Sequence, residues 1–152
     1  MVYIIKKKSL LTSDCEILVN AVNCIGIMGK GIAKDFKQLY PEYFHDYKNK
    51  CNQGKIQLGK VDLYLFENNP NRYICSFPTI HKLYEPSNLE NIKLGLMDLK
   101  LKTDRLGIKT IALSAVGCGN GGLNIKDVYN LVVSIFDKGT IEFYDYEDLL
   151  TL

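Results

Sequence analysis

A layered α/β fold is predicted by three features of this 152-residue chain. Short apolar runs alternate with segments of helical periodicity. Two of the runs, Cys15–Val22 and Lys109–Val116, are apolar almost without interruption, as parallel strands covered on both faces are. Each of them opens into a glycine-rich loop, and a helical segment follows each loop. No internal repeat, linker or low-complexity tract interrupts this pattern, and a chain of this length buries enough surface for one core, so residues 1–152 are expected to form a single domain.

Taken in order, Val2–Ile5 is a short strand, and Lys6-Lys7-Lys8-Ser9 is a solvated turn or a phosphate contact. Cys15–Val22 delivers Asn23 to the first glycine loop. Gly31–Tyr40 has Ile32, Phe36 and Leu39 or Tyr40 at helical spacing, and Pro41 both ends that helix and fits the first turn of the next, Pro41–Cys51. Lys60–Glu67 and Arg72–Phe77 are strands joined through Asn68-Asn69-Pro70-Asn71. Pro78–Pro86 is a polar loop within reach of a ligand. Ser87 or Asn88 caps a long amphipathic helix that runs to about Arg105 and stops at Leu106-Gly107. Lys109–Val116 feeds the second glycine loop, Asn124 caps a helix to about Lys138, and Thr140–Tyr144 closes the chain as a strand.

Composition excludes more than it assigns. Lysine and arginine total 19 against 17 acids, a net charge of +2 that neither demands nor forbids nucleic acid. The apolar runs are far shorter than a membrane span, and the first residues do not form a signal peptide, so a cytoplasmic protein without membrane contact is expected. The five cysteines are scattered without a Cys-x-x-Cys pair, and there are two histidines, a pattern of buried reduced thiols and not of a disulfide framework or a zinc site. No metal and no cofactor is expected.

The chemistry sits in the two loops. Neither is a P-loop, and neither fits the Gly-x-Gly-x-x-Gly dinucleotide fingerprint. Glycines let the backbone approach a ligand, and the N–H groups at a helix start favour anions, so the pair is either two walls of a phosphate or diphosphate site or two structural turns. Lys30 either meets a phosphate or faces solvent.

The segments VNAVNCIGIMGKGIAKDFKQLYPEYF (19–44), RYICSFPT (72–79) and IALSAVGCGNGGLNIKDV (111–128) resemble the macro domain over nearly the whole chain and in the same order. Within it they are most similar to the branch of bacterial antitoxins that remove ADP-ribose from DNA, terminal ADP-ribose glycohydrolases and ADP-ribose-1''-phosphate phosphatases. The resemblance implies a three-layer α/β/α fold with a mixed, mostly parallel central sheet, and ADP-ribose or an ADP-ribosyl derivative in a cleft at the strand ends. By position, Asn23 would hydrogen-bond the distal ribose. Val22, Gly29, Lys30, Gly31, Ile32 and Thr79 would line its loop. Val116, Gly117, Cys118, Gly119, Asn120, Gly121 and Gly122 would wrap the diphosphate, with Cys118 a backbone contributor and not a thiolate nucleophile.

Three departures from the family pattern stand out. Lys8-Ser9-Leu10 occupies the place of the acidic residue that recognises adenine, leaving Ser9, Leu10 and their backbone, or another residue, to meet the base. Ile80 follows Thr79 where glycohydrolase members carry a lysine, with His81 and Lys82 displaced by one and two positions. Gly121 stands where some relatives carry aspartate. If Lys82 reaches the anomeric carbon it serves as nucleophile or electrostatic aid, and His81 moves a proton near neutral pH; otherwise both are exposed loop residues. Tyr84 either covers the ligand or packs locally. The resemblance thus implies a metal-independent, monomeric hydrolase acting at C1'' on ADP-ribosylated DNA, protein or a small derivative. The alternatives are a phosphatase acting on ADP-ribose-1''-phosphate and a binding module without turnover.

Overall fold

The computed structural model describes residues 1–150. Six strands, β1 (Val2–Ile5), β2 (Ile17–Val22), β3 (Asp62–Asn68), β4 (Asn71–Pro78), β5 (Thr110–Ser114) and β6 (Thr140–Tyr144), form one sheet in the order β1-β6-β5-β2-β4-β3. Every neighbouring pair is parallel except β3 with β4. Helices α1 (Gly31–Leu39) and α2 (Pro41–Asn52) cover one face of the sheet, and α3 (Leu89–Leu106) and α4 (Ile125–Ile135) the other.

The apolar runs follow from this layering. Along β2, Ile17 and Val19 enter the core shared with Ile92, Leu96, Leu99, Val128 and Val132, while Leu18 and Val22 enter the core shared with Phe36, Tyr43, Phe44 and Tyr47. Side chains of a strand alternate between faces, so a strand buried on both sides has no polar position to spare. β5 repeats the pattern with Ile111 and Leu113 on one side and Ala112 on the other. The exception in β2 is Asn20, wholly buried beside its register partner Ser76. Tyr43 reaches in from α2, its hydroxyl 2.7 Å from Ser76 Oγ and accepting from Asn20 Nδ2 at 3.2 Å. Burial pushes the ionisation of this phenol far up, so it remains a neutral hydrogen-bonding group that ties helix to sheet.

Several boundaries differ from those read in the sequence. β2 begins at Ile17, not Cys15, because the Glu16 carboxylate turns aside to accept the N–H groups of Lys109 (3.0 Å) and Thr110 (3.2 Å) at the start of β5. β5 ends at Ser114 instead of Val116, so the glycine loop starts earlier. α4 stops at Ile135 instead of Lys138, since Phe136 leaves helical geometry and buries its ring under the sheet. A 3-10 turn, Leu10–Thr12, follows the lysine run and is capped by Ser9, whose Oγ accepts the Leu11 N–H at 3.2 Å.

One feature of the sheet positions everything that follows. β2 pairs with β4 along all six of its residues, yet with β5 only at Ile17/Ile111 and Leu18/Ala112. Past that point β5 stays with β6 and β2 with β4. The carboxyl ends of the two central strands part, and both glycine loops leave from the gap, the place where ligands enter open α/β sheets.

Candidate functional site

A cleft of about 1020 Å³ opens there. Val22, Asn23, Gly29, Lys30, Gly31, Ile32 and Thr79 line it from one side, and Val116, Gly117, Cys118, Gly119, Asn120 and Gly121 from the other.

The first wall is braced by side chains. Asn23, buried at the end of β2, accepts the N–H groups of Ile25 (3.1 Å) and Ile27 (3.3 Å) on Oδ1 and donates from Nδ2 to the Ile27 carbonyl (2.9 Å). Tyr47 on α2 places its hydroxyl 2.7 Å from the Asn23 carbonyl and 2.9 Å from Oδ1. The amide therefore holds the loop first, and one Nδ2 proton is left for a ligand. The loop then enters α1 behind Lys30, which makes no side-chain cap. The N–H groups of Gly31, Ile32 and Ala33 meet no acceptor among the described residues, as expected of an uncapped helix start.

The second wall is braced by its own backbone. Cys118 N–H donates to the Ala115 carbonyl (3.1 Å), Gly122 N–H to Gly119 (3.2 Å) and Leu123 N–H to Gly117 (3.1 Å), while Ser87 N–H donates to Gly121 (3.0 Å). Gly117 has φ +82°, and a Cβ there would lie 2.9 Å from Leu123 Cδ1. A Cβ on Gly121 would collide with Ser87 Oγ and the Gly117 carbonyl. That collision explains the missing aspartate, because no side chain fits at this position. The N–H groups of Gly117, Gly119, Asn120 and Gly121 have no acceptor among the described residues and belong to cleft-lining residues. Burial, with the Asp127 charge adding to it, pushes the Cys118 thiol up to about 11, so at neutral pH this sulfur is a protonated thiol.

Aromatic rings mark the two ends. At one, Asp145 and Tyr146 follow β6. The Asp145 carboxylate accepts the N–H groups of Leu149 (3.0 Å) and Leu150 (2.8 Å), folding the chain over, and Tyr146 Oη accepts the Leu10 N–H at 2.9 Å. A shallower recess of about 460 Å³ adjoins this end, lined by Lys7, Lys8, Ser9, Gly31, Ile32, Asp35 and Tyr146. At the other end lies the loop after β4, whose cleft-lining residues are Ile80, Leu83, Tyr84 and Glu85.

Most residues singled out from the sequence converge, and some do not. Ser9 lies in the recess. Leu10 is fully buried in the core and its N–H is spent on Tyr146, so it is a core residue and not a ligand contact. Gly122 falls outside the lining because it turns back onto Gly119. His81 and Lys82 are exposed and also outside it. The His81 carbonyl is pinned by the Cys24 N–H (2.9 Å) and the Lys82 N–H by Glu85 Oε1 (3.1 Å), and the residues of this turn that line the cleft are Leu83, Tyr84 and Glu85 instead. Asp145 and Tyr146 also line the cleft and were not expected there, although Tyr144-Asp145-Tyr146 at the carboxyl end of the last apolar strand was an available signal; Glu85 falls within the polar loop Pro78–Pro86 expected to reach a ligand, without a role of its own assigned to it.

A family model described as the macro domain matches residues 19–132. The chain is 42% identical over 130 residues to the DNA ADP-ribosyl glycohydrolase of Mycobacterium tuberculosis, a match covering 85% of this chain and 37% of that protein. Over 43 residues it is 48% identical to an ADP-ribose 1''-phosphate phosphatase of Aspergillus oryzae, covering 28% of this chain and 21% of that one. The chain thus spans little more than a third of the curated glycohydrolase it matches. Among solved structures it superimposes on the macrodomain of Mycobacterium tuberculosis DarG with a TM-score of 0.89 and 38% identity, covering 95% of this chain and 97% of that one. On Thermosipho africanus DarTG in complex with ADP-ribose it reaches 0.87 with 25% identity, over 99% of this chain and 43% of that one. Matched along most of its length and closely superimposable on a solved macrodomain, the chain belongs to the macro domain family.

Proposed function

We propose that the cleft binds ADP-ribose and that the protein hydrolyses the bond at C1'' of the distal ribose, releasing ADP-ribose from modified DNA. One observation supports this reading above all. Two sets of unpartnered backbone N–H groups, at Gly31–Ala33 and at Gly117, Gly119, Asn120 and Gly121, belong to opposite walls of one cleft, and a diphosphate is the group that both walls would grip. The DNA acceptor is carried over from the similar Mycobacterium glycohydrolase.

In this arrangement the adenine lies at the Tyr146 end, with Ser9 and Asp35 available to its edge. The distal ribose lies beside Asn23, whose remaining Nδ2 proton meets a hydroxyl. Cleavage passes through an oxocarbenium-like state: the C1''–acceptor bond breaks with its electron pair going to the acceptor, water bonds to C1'', and the proton that leaves the water is passed by the base to the departing acceptor. Ile80 stands where glycohydrolase members carry lysine, and Glu85 is the carboxylate that this loop contributes to the lining. Glu85 therefore takes the water's proton. The chain is taken to act in the cytoplasm as a monomer, without metal or cofactor.

Product analysis on ADP-ribosylated DNA, ADP-ribosylated protein and ADP-ribose-1''-phosphate, beside calorimetry with ADP-ribose, tests the assignment. Release of ADP-ribose from DNA is expected, with Glu85→Gln slowing it roughly 100-fold and His81→Ala and Lys82→Ala leaving it within about threefold. Preferential loss of phosphate from ADP-ribose-1''-phosphate would replace this activity with the phosphatase one, a reading that the short match to the Aspergillus enzyme supports. Tight binding with no turnover would make the protein a binding module, as the missing lysine after Thr79 would favour.

A further inference from the structure

Tyr84 has no structural reason to be where it is. Its side chain is among the most open of the large apolar residues, 96% exposed, yet it lines the cleft. Its backbone has φ +67°, a conformation disfavoured for a bulky residue. The loop that imposes this is anchored on both walls: the His81 carbonyl accepts from Cys24 N–H (2.9 Å), and Ser87 N–H donates to Gly121 (3.0 Å). Between the anchors, Lys82 N–H donates to Glu85 Oε1 (3.1 Å) and Glu85 N–H to the Lys82 carbonyl (3.5 Å), closing the turn on which the ring is raised. Leu83 and Ile27 line the same cleft, 38% and 43% exposed, so the rim here is apolar.

Along the cleft, a ring (Tyr146), anion-binding N–H groups and a second ring (Tyr84) follow one another. Tyr146 follows β6 and Tyr84 lies in the loop after β4, two strands separated by three intervals, or roughly 14 Å at the spacing of paired strands. That sequence is complementary to a ligand with a flat group at both ends of a sugar–diphosphate–sugar chain. We propose that Tyr84 is the specificity-determining residue for the acceptor: its ring stacks on a nucleobase joined to C1'', beside Leu83 and Ile27. A flat base matches this surface, whereas an ADP-ribosylated protein side chain offers it mainly aliphatic or charged atoms. The assignment rests on the reading of the cleft as an ADP-ribose site and adds which acceptor is read and by what.

The test compares wild type with Tyr84→Asn, which keeps a left-handed backbone accessible while removing the ring, and with Tyr84→Phe, which keeps the ring. Three probes are used: an ADP-ribosylated single-stranded oligonucleotide, an ADP-ribosylated peptide and free ADP-ribose. Affinity is read as KM where a probe is cleaved and by calorimetry where it is not. Tyr84→Asn is expected to weaken the oligonucleotide by roughly tenfold or more and to leave free ADP-ribose within about twofold, with Tyr84→Phe indistinguishable from wild type. Equal losses on all three probes, no loss on the oligonucleotide, or a larger loss on the peptide would each overturn the assignment. If wild type binds ADP-ribose and Tyr84→Asn changes nothing, Tyr84 alone is misassigned. If wild type binds none of the probes, the reading of the cleft fails and the acceptor platform with it.

Discussion

The two glycine loops face one another across the cleft, yet they are built on opposite plans. The loop after β2 is shaped by polar side chains, with Asn23 folded over residues 25–27 and Tyr47 underneath. The loop after β5 is shaped by the exclusion of side chains, its backbone bonded to itself and Gly121 pressed against Ser87. Both leave N–H groups free, at the start of a helix in one and within the loop itself in the other. The difference teaches how each wall fails: the first by losing a hydrogen bond, the second by gaining an atom.

Gly121→Ala should break the second wall most completely. The added methyl meets backbone that cannot yield, and loss of aligned N–H groups is expected to weaken ADP-ribose on the order of 100-fold by calorimetry. Gly119→Ala, where a Cβ meets no protein atom within 4 Å, should leave the fold as stable as wild type and cost less affinity than Gly121→Ala, and equal losses in the two variants would refute the role given to Ser87. Asn23→Ala comes next. Because this amide braces the loop, denaturant unfolding should show a loss of about 2 kcal/mol beside reduced turnover, and Tyr47→Phe about half of that. Unchanged stability with lost turnover would mean that Asn23 serves the ribose alone. The smallest effect is expected at Cys118. Cys118→Ser should leave affinity within about twofold, and alkylation of Cys118 should be slow at pH 7 and rise about tenfold per pH unit toward pH 10, because burial keeps the thiol protonated until its shifted pKa is approached. Fast labelling at neutral pH would mark it as a reactive thiolate.

The strands and helices were readable because their cause is local. Doubly buried strands leave unbroken apolar runs such as Ile17-Leu18-Val19, and caps such as Asn88 and Asn124 accept N–H groups within a turn of themselves, as seen at Asn91 (3.2 Å) and Lys126 (2.8 Å). The two walls were readable for the same reason. What escaped depends on distant pairs: that Leu10 spends its N–H on Tyr146, 136 residues away, or that Ser87 leaves Gly121 no room. The loop after β4 escaped most. The family resemblance gave His81 and Lys82 the nearest claim to the ribose, whereas two hydrogen bonds, Cys24 N–H to the His81 carbonyl and Lys82 N–H to the Glu85 carboxylate, shape a turn in which Leu83, Tyr84 and Glu85 line the cleft instead.

The early parting of β2 from β5 makes the centre of the sheet a half-closed seam. Past Leu18 and Ala112 the two middle strands each keep a single neighbour, and no main-chain rung crosses between them. A molecule held by N–H groups from both loops stitches that seam from outside, standing in for rungs the sheet never formed. Occupancy should therefore stiffen the middle of the domain more than its edges, so that a bound ligand acts as a removable strut of the fold.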